Sequence, residues 1–142
     1  MLFSDNRDQL RQMWLDAWSA HKQNKPIIPL QMELVAIIKK HPEYIPVLES
    51  DETALQREYL PEMGETNPFL HMAMHQGIHE QLSSNRPQGI KVLYKKLCEK
   101  YGDPHDAEHQ MIECLAESIW EAQRHGHAPD EQRYLQRLKN LL

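Results

Sequence analysis

Proline placement constrains this chain more than any other feature of it. Asn67-Pro68 and Asp103-Pro104 each set a short polar side chain, able to accept from backbone N–H groups, just before a residue whose fixed φ suits a first helical turn. Pro29, Pro87 and Pro129 can open further helices, and His41 before Pro42 should close one, because pre-proline residues avoid the α region. Between these marks apolar residues recur at three- and four-residue spacing, and no segment sustains the alternation of a half-buried strand. The pattern predicts an all-α fold, a compact single-domain helical bundle of five to seven helices over residues 1–142.

The spacing places Leu10, Met13, Trp14, Ala17 and Trp18 on one apolar stripe of a first helix, from Asp5 to about His21 with Ser4 as its cap. A second helix from Pro29 carries Leu30, Leu34, Ile37 and Ile38. From Pro42 to Gly64 the prolines at 46 and 61 predict short helical turns and a connecting loop. A third long helix runs from Pro68 to about Ser84. Another starts at Pro87, presents Ile90, Leu93, Leu97 and Tyr101, and ends on Gly102. The longest spans Pro104 to about Arg124 with Gly126 beyond it, and the last, from Pro129, carries Tyr134, Leu135, Leu138 and Leu141. Trp14, Trp18 and Trp120 read as core side chains.

With 142 residues there is apolar surface for one core. The net charge of −5 and the lack of a basic tract argue against nucleic acid or an anionic membrane as partner. A protein partner or a homo-oligomer stays open, and no motif indicates a nucleotide or organic cofactor. Cys98 and Cys114 are too few for a disulfide framework, which with the absence of a signal-like N-terminus or an 18-residue apolar run predicts a cytoplasmic setting.

The chemistry gathers on histidine. A turn of about 100° per residue sets His71 and His75 on the same arc as Met74, Ile78 and Leu82, with His79 at its margin. On the helix from Pro104 the same construction groups His105, His109, Ile112, Ala116, Ile119 and Trp120, with Glu113 at the edge. Imidazoles four residues apart stand one turn above another and can share an ion. If the two helices face each other, His71, His75, His109 and Glu113 converge, with His105 as a fifth ligand or a supporting partner. That donor set suits Zn, Fe or Mn. The Glu-x-x-His signature of di-iron bundles is missing.

Other readings compete. His105-Asp106-Ala107-Glu108-His109 fits the H-x-x-E-H pattern of inverted zincins, with Glu108 activating water, and His105-Asp106 matches the two-residue dyad of metal-dependent phosphohydrolases. Met72, Met74, Met111 and Cys114 lie near the histidines and would favour Cu(I), although methionine in a helix more often fills core space and Cys114 falls opposite His105 and His109. The histidines can equally be core groups satisfied by hydrogen bonds.

NPFLHMAMHQGIHEQ, HDAEHQMIECLAESIWEAQ and the ending PDEQRYLQRLKNL together resemble domain of unknown function family 1841 over most of the chain. The resemblance implies a small helical bacterial cytoplasmic protein and brings no activity with it. Three functions therefore stand: a transition-metal-binding protein, a non-enzymatic adaptor or regulatory module with structural histidines, and a small metal-dependent hydrolase with Glu108 or Glu113 as general base. Whether the chain is an enzyme is open at this level.

Overall fold

The computed structural model describes residues 2–50, 57–59 and 67–142, and the backbone alone over residues 2–6. Among them are seven α-helices and no strand: α1 (Leu2–Lys22), α2 (Pro29–Lys39), α3 (Ile45–Leu48), α4 (Pro68–Ser84), α5 (Ile90–Tyr101), α6 (Pro104–His125) and α7 (Glu131–Asn140). A 3-10 turn over Pro42–Tyr44 leads into α3. Pro61 and Gly64, expected to punctuate the end of the connecting segment, lie outside the described residues.

The start signals act as the sequence predicts. The Asn67 side-chain oxygen accepts from the backbone N–H of Leu70 at 3.1 Å, and that of Asp103 from His105 at 2.7 Å. Gly102 and Gly126 end α5 and α6 with φ of 75° and 70°, the left-handed region that a Cβ disfavours. Two starts differ. Pro87 to Gly89 form a turn before α5, and Asp130, accepting from Gln132 and Arg133, sets the start of α7 just after Pro129. Ser4 is not a cap, because α1 already begins at Leu2.

The chain forms two compact units, Met1–Gln76 and Gly77–Leu142, whose boundary falls inside α4. In the first, α1 packs on α2, and Trp14, Trp18, Leu34, Ile38, Phe69 and Met72 lie in its core. The Trp18 indole N–H donates to Glu49 at 3.2 Å, so its one polar atom is satisfied at the core edge. Leu10 and Leu30, expected on the buried stripes, are exposed instead. Leu30 sits in the first turn of α2, ahead of the buried Leu34, Val35, Ile37 and Ile38.

In the second unit α6 packs against both α5 and α7. Ile90, Leu93 and Leu97 of α5 are buried, as are Tyr134, Leu135 and Leu138 of α7. The buried face of α6 is Ala107, Glu108, Met111, Ile112, Cys114, Ser118 and Ala122. This corrects the predicted face: Ala116 is exposed, and Trp120 is 57% exposed with the Arg124 guanidinium 5.2 Å above its ring. Small side chains let a neighbour approach closely, and they occupy the face that hydropathy alone would not choose. The Arg137 guanidinium then ties α7 to α6, donating to the Ser118 hydroxyl at 2.7 Å and to the Glu121 carboxylate.

Candidate metal centre

The first unit holds a trio of imidazoles that begins with the end of α2. The last carbonyls of a helix lack intrahelical partners. His41, with φ −130° and ψ 62° just before Pro42, folds back so that its Nδ1 lies 2.8 Å from the Ile37 carbonyl. A carbonyl only accepts, so Nδ1 carries the proton and the lone pair of the neutral ring sits on Nε2. This is how proteins fix the tautomer of a metal-ligating histidine, by giving its other nitrogen a backbone acceptor.

His71 and His75 meet that ring from α4. The His41 centroid is 4.6 Å from that of His75 and 5.1 Å from that of His71, and His71 Nε2 lies 3.1 Å from His75 Nε2. His41 and His75 are buried and His71 is half-buried. Tyr44 stacks on His41, with centroids 5.4 Å apart and planes within 4°. Burial, and then the nearby Glu43 charge, push the Tyr44 phenol above its ordinary pKa, so at neutral pH it is a neutral wall rather than an anion.

The second unit carries a pair and a dyad. His105 and His109, one turn apart on α6, have ring centroids 4.2 Å apart and are half-buried. His79 Nε2 lies 2.7 Å from Oε1 of Glu108, whose side chain is 6% exposed. The carboxylate accepts and the imidazole donates. Glu108 is thus engaged by His79, which does not favour the water-activating role the H-x-x-E-H match gave it.

Of the residues singled out in the sequence, His71 and His75 are brought together in the first unit and His105 and His109 in the second. Glu113 is exposed on α6. Asp106, the second member of the two-residue dyad, is exposed as well, and Cys114 is buried and makes no disulfide. The described histidines whose ring nitrogens could hold a metal ion are His41, His75, His105 and His109. His41 escaped the sequence reading because it has no partner at helical spacing. Its one local signal is the position before Pro42, which on sequence alone marks a helix stop.

No described helix is long and apolar enough to cross a membrane. Neither the comparison with curated proteins nor that with solved structures finds a match. The sequence pattern of one family, described as Domain of unknown function (DUF1841), matches residues 6–140, and the chain belongs to that family.

Proposed function

We propose that this protein binds a transition-metal ion through histidine, with His41 and His75 of the first unit as donors, and that the His105–His109 pair of the second unit is a candidate of its own. One observation carries the reading: the Ile37 carbonyl fixes the His41 tautomer, leaving Nε2 to donate a lone pair beside the rings of His71 and His75. Two nitrogens bound at 2.0–2.1 Å to a tetrahedral ion stand about 3.3 Å apart. The 3.1 Å between His71 and His75 is near that value, so His71 is a further donor or a support for His75. Glu113 drops from the donor set expected from sequence. Imidazoles with no carboxylate suit Zn or Fe better than Mn.

The second reading, histidines serving structure alone in an adaptor module, is favoured at one place. His79 is held by Glu108 as a core histidine would be. We therefore leave His79 out of the donor set. The hydrolase reading needs a base, Glu108 or Glu113, beside a bound ion; Glu108 is engaged by His79 and Glu113 is exposed on α6, and no observation favours this reading over the other two.

Elemental analysis of protein purified without a metal-affinity tag tests the proposal. One equivalent of Zn or Fe per chain, or one equivalent taken up after chelation and reconstitution, is the expected result. Two independent equivalents would mean that each unit binds its own ion, and no uptake would leave the structural reading.

A further inference from the structure

The second unit holds two adjoining cavities that no histidine lines. One, of about 500 Å³, opens among the end of α4, the middle of α6 and the start of α7. Its wall is apolar, made by Pro87, Leu115, Ile119 and Pro129, and it also reaches the buried Tyr134, whose O–H already donates to Gln81 at 2.8 Å. Leu115 and Ile119 are only half-buried, so apolar surface remains there for a ligand to cover. The other cavity, of about 480 Å³, is polar and is bordered by Ser84, Asn85 and Gln88. Arg86, Pro87 and Glu131 line both.

The two charges at this junction are presented from fixed backbone. The Arg86 backbone N–H donates to the Gln81 carbonyl at 3.0 Å, the Asn85 side-chain oxygen accepts from the Lys91 N–H at 3.2 Å, and Pro87 is buried, so the loop carrying Arg86 is tied on both sides. Glu131 is the first residue of α7, whose start is set by the Asp130 carboxylate accepting from Gln132 and Arg133. The Arg86 and Glu131 side chains are exposed, and among the described residues neither makes an ion pair, with the other or with a third group. Opposite charges that border one opening without pairing can each engage one end of a molecule that carries both.

We propose that this site binds a large apolar α-amino acid, with its carboxylate on Arg86, its ammonium on Glu131 and its side chain against Leu115, Ile119 and the two prolines. A guanidinium fork matches a carboxylate, and a molecule with only one charge would leave one of the two residues unmet. Asp130 does not compete, because its carboxylate is engaged in capping α7.

Calorimetric titration of the full chain with L-phenylalanine, 3-phenylpropanoate, phenethylamine and glycine tests this. L-Phenylalanine should bind one to one and about tenfold more tightly than either single-charge analogue, the scale of one charge-assisted hydrogen bond, and glycine, which has both charges and no apolar body, should not bind. Arg86→Gln should weaken L-phenylalanine about tenfold and leave phenethylamine unchanged, and Glu131→Gln should weaken it about as much and leave 3-phenylpropanoate unchanged. Both side chains are exposed, so neither variant disturbs the core. No binding of L-phenylalanine, equal binding of glycine or of a single-charge analogue, or unaltered affinity in either variant would each overturn the proposal.

Discussion

Gly77 lies in the interior of α4, between His75 and His79, and replacing it with alanine should stabilise the protein. A helix-interior glycine costs about 0.8–1.0 kcal/mol relative to alanine, because the unfolded chain loses more freedom on ordering it. The gain is available only if the new methyl group has room. A Cβ on Gly77 would meet only the Leu115 Cδ2, at 3.9 Å, which is an ordinary van der Waals contact. Nothing has to move, so the full propensity gain of about 1 kcal/mol should appear. For a chain of this length that is a rise of roughly 3–4 °C in Tm. Thermal unfolding followed by circular dichroism, in the presence of chelator so that metal does not contribute, reads it directly. Gly102→Ala is the opposing control: with φ of 75° it should cost about 1 kcal/mol. A fall in Tm for Gly77→Ala would refute the reasoning, because it would mean that α4 is not a regular helix packed loosely at this point.

Two further outcomes follow from the second unit. Asp103→Ala removes the side chain that caps α6 and should cost about 1 kcal/mol of stability in chemical denaturation, with Asp103→Asn recovering most of it. Burial raises the Tyr134 phenol above its ordinary value, with the nearby Cys114 adding to the rise, while its O–H donates to Gln81 at 2.8 Å. The unfolded chain therefore gives up that proton before the folded protein does. The stabilisation from Tyr134 is complete below about pH 10 and is lost as pH rises beyond it. Denaturation at stepped alkaline pH should show a steeper loss for the wild-type chain than for Tyr134→Phe, and equal slopes would count against a buried neutral phenol.

The helices were legible where local chemistry decides them. Asn67-Pro68, Asp103-Pro104, Gly102 and Gly126 name their own helix ends, and Trp14, Trp18, Leu93, Leu97 and Leu138 fall inside as their spacing requires. The face of α6 was not legible. Its buried side is made of Ala107, Cys114, Ser118 and Ala122 as much as of Met111 and Ile112, and such small groups weigh little against Ile119 and Trp120 on a helical wheel. The histidine pairs were legible because i,i+4 spacing is a local fact. The ring of His41 was not, since 30 residues of chain separate it from His71 and only tertiary packing unites them. Glu113 was placed at the edge of an arc that is turned on the real helix, which left it exposed.

The central claim is that imidazoles, rather than Glu113, hold a metal ion. Titration of chelator-treated protein with zinc against a competing indicator, in wild type, His75→Ala and Glu113→Ala, tests it most directly. One tight equivalent in wild type, retained in Glu113→Ala and weakened at least a hundredfold in His75→Ala, is the predicted result. Zinc binding that is absent in wild type, or that survives in His75→Ala while failing in Glu113→Ala, would contradict the account.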